Sequence, residues 1–154
     1  MSIELTVNGR TVIVAAADDT PLLDVLRNHL DLKGSRYGCG LEQCGSCMVL
    51  IDGKAEYSCA REVASVAGKR VETVESLAAH PLRQAFLDEQ AGQCGYCLSG
   101  ILMSAKALLD SNKNPSRADI VTALDRHLCR CGAHPRILRA VEKAAAALRE
   151  GARS

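Results

Sequence analysis

Eight cysteines in 154 residues fall into two unlike sets of four, Cys39-x4-Cys44-x2-Cys47-x11-Cys59 and Cys94-x2-Cys97-x31-Cys129-x-Cys131. Each set requires distant stretches of backbone to deliver thiols to one place. Thiols in fours serve disulfides or metals. The first thirty residues lack the basic start and apolar stretch of a secretory signal, and a reducing cytosol keeps thiols free. Metal ligation in a cytoplasmic chain is the expectation. Export of the folded chain beside a signal-bearing partner would leave the same sequence, so both destinations stay open.

The first set has the spacing of a plant-type [2Fe-2S] site, in which each iron takes two thiolates beside two bridging sulfides. Its loop reads Tyr37-Gly38-Cys39-Gly40-Leu41-Glu42-Gln43-Cys44-Gly45-Ser46-Cys47. Glycine allows positive φ and removes Cβ bulk, so peptide N–H groups can turn inward toward anionic sulfur. Such donors tune the potential of a bound cluster. Zinc is the plainer alternative. It favours knuckles in pairs, and a lone Cys59 supplies no second knuckle.

In the second set Cys94, Cys97, Leu98, Ile101, Leu102, Ala105 and Leu108 recur at steps of three or four. That pattern predicts two ligands at the start of a helix, on its apolar face, and a largely buried cluster. Leu124 and Leu128 lead into Cys129 and Cys131 at the end of another helix, so two helices clamp one group. Spacing alone leaves zinc or buried structural thiols open here, although Cys-x-Cys makes a poor zinc knuckle.

The remaining sequence predicts an α+β protein. Ile3, Leu5 and Val7 alternate with polar residues, then Asn8-Gly9 precedes Val12 and Val14, a hairpin pattern. Thr20 as N-cap and Pro21 at the first helical position open a short helix with Leu22, Val25, Leu26 and Leu30 on one face. Met48–Ile51 before Asp52-Gly53 marks another hairpin, and 71–74 a further strand. This order suits a small mixed sheet curled over one helix. Beyond about Ser76 to Ala79 the period becomes helical. Helices are expected from Pro81 to about Gln90, from about Cys94 to Leu109, after Pro115-Ser116 with Asp119 closing a capping box, and from Pro135 onward. The division is residues 1–77 and 78–154, the latter a four-helix bundle. Net charge is +1, which gives no basic stripe for nucleic acid or a membrane surface. The longest apolar run, six residues at Val12–Ala17, is far short of a span.

With these residues in view the chain resembles the small iron-sulfur subunits of the xanthine oxidase family of molybdenum hydroxylases. The matching stretches are Tyr37–Gly40, Gln43–Cys47, Asp52-Gly53, Ser58-Cys59, His80-Pro81, Gln93–Cys97 and Leu128–Gly132. The resemblance implies a ferredoxin-like β-grasp domain and then a helical bundle. It implies a surface-facing cluster on Cys39, Cys44, Cys47 and Cys59, distal to molybdenum. A buried cluster on Cys94, Cys97, Cys129 and Cys131 would be proximal to it. By the same likeness Gln93 hydrogen-bonds a molybdopterin, in its cytosine dinucleotide form, held by a separate large subunit, and Cys131 lies nearest that cofactor. Electrons would run from molybdenum through both clusters to FAD or haem on a flavin or cytochrome c subunit. Leu98-Ser99 and Gly132-Ala133-His134 depart from the commoner pattern. Glu42-Gln43 and the run Gly132-Ala133-His134-Pro135-Arg136-Ile137 look more like the isoquinoline and nicotinate oxidoreductase subunits, pointing to an N-heteroaromatic substrate. An aldehyde- or purine-oxidising relative is the alternative.

Other residues carry bland readings. His127 reads as a helix-end residue meeting the local dipole, and His29, His80 and His134 as caps or surface. Arg130 offsets cluster charge, reaches a cofactor phosphate or is solvated. Met103 and Phe86 sit at core spacing. A free two-cluster ferredoxin shuttle and a zinc-stabilised interaction module remain competing functions. Low net charge speaks against the shuttle, which would use a single-sign field for steering.

Overall fold

The structure is a computed structural model that describes residues 2–153. Two hairpins build its sheet. β1 (Ser2–Val7) and β2 (Arg10–Ala15) pair antiparallel about Asn8-Gly9, and β3 (Met48–Ile51) pairs with β4 (Lys54–Tyr57) about Asp52-Gly53. In both turns the two central residues have positive φ, 48° and 79° in the first, 49° and 82° in the second, the type I′ geometry that matches strand twist. β5 (Arg70–Glu72) runs parallel to β1 and antiparallel to β3, so the order is β2-β1-β5-β3-β4.

Helix α1 covers Leu22–Asp24 and continues as a π-helical turn over Val25–His29. Its start corrects the sequence expectation: Pro21, not Thr20, is the N-cap, with ψ at 134°. The cause is tertiary. Leu22 N–H donates to Arg61 O at 2.7 Å and Val63 N–H to Thr20 O at 2.9 Å, a strand-like pairing that keeps Pro21 extended. Leu22, Val25 and Leu26 then pack on Ile3, Leu5 and Val7 of the sheet.

All four residues of β3 are buried, as in a strand covered on both faces. Val49 and Ile51 face the α1 core, while Leu50 packs with Leu77 and with Met103 from the second half of the chain. Lys106 adds a partly buried ion pair across the same seam, 3.2 Å from Glu72 and 2.6 Å from Asp110.

The second half is helical: α2 (Pro81–Asp88), α3 (Leu98–Ser111), α4 (Arg117–Leu124) and α5 (His134–Gly151). His80 caps α2, its Nδ1 accepting from Leu82 N–H at 3.1 Å. Ser116 and Asp119 form the expected reciprocal capping box on α4. Leu82, Phe86, Ile101, Ile120, Ile137 and Val141 fill the core between the helices. Helix α3 starts later than its periodicity predicts, at Leu98 with Cys97 as N-cap. Gly95, at φ 77°, turns the chain out of helical conformation, so Cys94 belongs to a loop. Among the described residues no helix is long and apolar enough to cross a membrane.

Candidate metal centres

The loop from Tyr37 to Cys47 wraps around the Cys39 thiol. Its Sγ accepts from the backbone N–H groups of Leu41, Gln43 and Cys44, each at 3.3 Å, and Cys44 Sγ accepts from Cys39 N–H at 3.4 Å. Burial acts to raise the Cys39 pKa and is the largest single influence, but these donors together bring it down to about 7. Residues in left-handed conformation shape the wrap, Gly40 at φ 68°, Glu42 at 55° and Gly45 at 80°. Gly38 is needed for space, since a Cβ there would lie 2.6 Å from Cys44 Sγ.

Cys47 and Cys59 approach from the turn just before β3 and from the loop after β4, both buried against Leu23. Ser58 Oγ ties the two segments by donating to Cys47 O at 2.6 Å. Burial pushes the Cys59 thiol up to about 11, and its neighbour Cys47 adds to the rise. The first set thus stands as two pairs, Cys39 with Cys44 and Cys47 with Cys59.

The second set is paired likewise, Cys94 with Cys131 and Cys97 with Cys129. Cys94 is held below the usual thiol range by the N–H of Tyr96 and by Cys131. Burial drives Cys97 up to about 12. For Cys129 burial again pushes upward most strongly, yet N–H groups of Ala133, Cys131 and Gly132, with Cys97, hold it low. The thiol-rich turn at 129–133 is closed by Gly132 N–H donating to Cys129 O at 3.2 Å.

Burial differs from the sequence expectation. In the chain by itself the second set is the more open one, because Cys94 is exposed while Cys47 and Cys59 are covered. Cys94 stands in the loop before α3, not on its buried face. Gln93 beside it is exposed and lines a surface cleft of about 610 Å³ with Gly92, Gly95, Leu98 and Arg136.

His127 also departs from its expected role. It is 5 % exposed, its Nε2 lies 2.7 Å from Ser104 Oγ, and its Nδ1 is buried with no hydrogen-bond partner. Burial, then Arg126, lowers its pKa to about 4, so the ring is neutral at pH 7. The same turn docks on the first loop: Leu128 N–H donates to Cys44 O at 3.0 Å. Arg126 stacks over the Tyr57 ring at 4.4 Å. Across the other side Arg36 donates to Gly95 O at 3.1 Å and covers Tyr96. None of these links shows in ligand spacing. Gly100 inside an apolar helical stretch is the one available signal, because a mid-helix glycine often marks close packing.

Among the described residues no three side chains of His, Cys, Asp or Glu close around a point that one ion could occupy. Within each set the thiols still act on one another, Cys47 and Cys39 on Cys59, and Cys129 and Cys94 on Cys97. A diiron cluster takes four thiolates, two on each iron. Thiols in this number, with N–H groups aimed at sulfur, fit [2Fe-2S] groups.

A sheet-and-helix half and a four-helix half, each carrying two thiol pairs, define a two-site iron-sulfur protein. Two family profiles match the chain, a "2Fe-2S iron-sulfur cluster binding domain" over residues 5–79 and a "[2Fe-2S] binding domain" over residues 71–142. A nicotinate dehydrogenase subunit from Pseudomonas putida is 54% identical over 148 residues, 94% of each chain. The alpha subunit of isoquinoline 1-oxidoreductase from Brevundimonas diminuta is 48% identical, covering 93% of this chain and 97% of its own. Among solved structures, quinoline 2-oxidoreductase from Pseudomonas putida 86 superposes with a TM-score of 0.93 at 34% identity, over 98% of this chain and 97% of that one. The chain belongs to the small [2Fe-2S] subunits of the xanthine oxidase family.

Proposed function

We propose that Cys39, Cys44, Cys47 and Cys59 ligate one [2Fe-2S] cluster and Cys94, Cys97, Cys129 and Cys131 a second, in domains spanning residues 1–77 and 78–154. The observation that carries this reading is the loop whose backbone N–H groups of Leu41, Gln43 and Cys44 all point at the Cys39 thiol, with Cys44 beside it. When bound, each cluster supplies a one-electron store. The chain's residues hold it, and N–H donors at Cys39 and at Cys129 favour the more negative state.

The chain is the electron-transfer subunit of a molybdenum hydroxylase whose substrate chemistry lies on a large molybdopterin-binding subunit, with the cofactor in its cytosine dinucleotide form. The open side of the second site, at Cys94, Cys131 and Gln93, is the face turned to that subunit. Gln93 is free to donate a hydrogen bond there, being exposed, and a covering partner would supply the burial that the isolated chain lacks. The first site is distal and delivers electrons to an acceptor subunit carrying FAD or haem. Likeness to nicotinate, isoquinoline and quinoline enzymes supports an N-heteroaromatic substrate.

Metal and sulfide analysis of the purified chain tests the ligand assignment. About four irons and four acid-labile sulfides per chain are expected, and zinc or a single diiron centre overturns it. Co-purification with a much larger molybdenum-containing chain tests the assignment to a complex, and a free monomer in the native host overturns that part.

A further inference from the structure

The segment between Cys44 and Cys47 is gripped by the two segments that carry the second thiol set. On one side lies the first turn of α3, three residues beyond Cys97. A Cβ on Gly100 would sit 1.9 Å from Gly45 O and 2.9 Å from Gly45 C, so only glycine lets the helix meet this peptide. On the other side lies the turn that runs into Cys129. A Cβ on Gly45 would sit 2.2 Å from His127 Nδ1 and 2.8 Å from Arg126 O. Leu128 N–H donates to Cys44 O at 3.0 Å, and Ser99 Oγ reaches Ser46 O at 3.4 Å.

These contacts are selective in what they join. Cys97 and Cys129, which flank the grip, form one thiol pair of the second set, while the other pair contains the exposed Cys94. One thiol pair of the second site is therefore built into the junction with the first site. Cys44 and Cys129 are joined by covalent backbone interrupted by a single hydrogen bond, Leu128 N–H to Cys44 O. Electronic coupling declines less steeply along bonds and hydrogen bonds than across an empty gap of equal length.

We propose that Gly45 and Gly100 are positioning residues that fix the separation of the two metal sites, and that the Leu128–Cys44 hydrogen bond is the bonded link between them. The proposal rests on the ligand assignment above. Neither glycine touches metal in that assignment. Their backbones set where Cys44 and Cys97 stand, because the peptide at Gly45 and the helix at Gly100 meet with no side chain between them. A methyl group at either position forces the two segments apart: at Gly100 the atoms met are all backbone, and at Gly45 they are Arg126 O and the buried His127 ring, which is tethered to Ser104.

The test is electron paramagnetic resonance of the iron-loaded, fully reduced chain in its native complex, read as the mutual magnetic splitting of the two reduced centres. Iron analysis comes first. A wild-type protein without two diiron centres refutes the ligand assignment, and this proposal with it. With both centres present, Gly100→Ala and Gly45→Ala are expected to keep their iron and to narrow or lose the splitting. Should an alanine variant fail to load iron, replacing the Leu128 amide by an ester removes the single N–H donor with almost no change in shape. Its expected result is slower electron exchange between the centres. Wild-type protein without splitting, or splitting and exchange unchanged across the loaded variants, overturns the proposal while leaving the ligand assignment intact.

Discussion

At the scale of single residues, the thiols divide by surroundings. Cys39 and Cys129 receive several N–H donors, whereas Cys59 and Cys97 are raised by burial. Cys131→Ser is expected to remove one pair of the second site and lower iron from about four to about two per chain, with the sheet domain still folded by circular dichroism. Cys44→Ser gives the mirror result, losing the first centre's spectrum. Retention of all iron in either variant counts against the ligand sets. His127 makes a separate prediction. Its folded pKa is lowered to about 4 against an ordinary value near 6.5, so the unfolded chain binds the extra proton between these values. The stability from keeping the ring neutral is complete above pH 6.5 and is lost as pH falls toward 4. The loss is on the order of 3 kcal/mol. Urea midpoints from pH 7.5 down to 5 should fall more steeply for wild type than for His127→Asn. Parallel curves would show that the ring does not titrate as its burial implies.

At the scale of elements, local chemistry fixed most boundaries. Asn8-Gly9 and Asp52-Gly53 adopt the positive-φ pairs that two-residue hairpins require, and Ser116 and Asp119 cap α4 as their spacing implies. Ser116→Ala is expected to destabilise the chain by about 1 kcal/mol. Because α4 ends just before His127 and Cys129, amide exchange should quicken along 117–129 more than in the sheet. Uniform exchange would place the cap outside this unit. Two element starts were illegible for one reason: the deciding contacts come from far away in sequence. Pro21 is held extended by residues 61–63, and Cys94 falls off α3 because Gly95 turns the chain toward the first loop, where Arg36 meets its carbonyl.

At the scale of the whole molecule, the halves share a core. Leu50, Leu77 and Met103 are almost fully buried between sheet and bundle, and Lys106 ties α3 to β5. The seam predicts that the halves unfold together, with far-ultraviolet and iron-linked absorbance tracing one coincident transition. Met103→Ala is expected to cost about 2–5 kcal/mol and to lower both signals at the same denaturant concentration. Separate transitions would show that the halves stand independently. In sequence Met103 reads only as a core residue. Its partners, Leu50 and Leu77, lie in the other half, and periodicity tells which face of a helix is apolar but not what covers it.

By itself the sequence determined what the chain can bind and what elements it forms. Thiol spacing, turn glycines and caps are local chemistry, written within a few residues of where they act. Only the tertiary structure decided that the second set opens to the surface at Cys94, and that Gly45, Gly100 and His127 pack the Cys44–Cys47 segment against α3 and the turn before Cys129. Those outcomes depend on close approach between segments tens of residues apart, and hard-sphere contact leaves no periodic trace in a sequence.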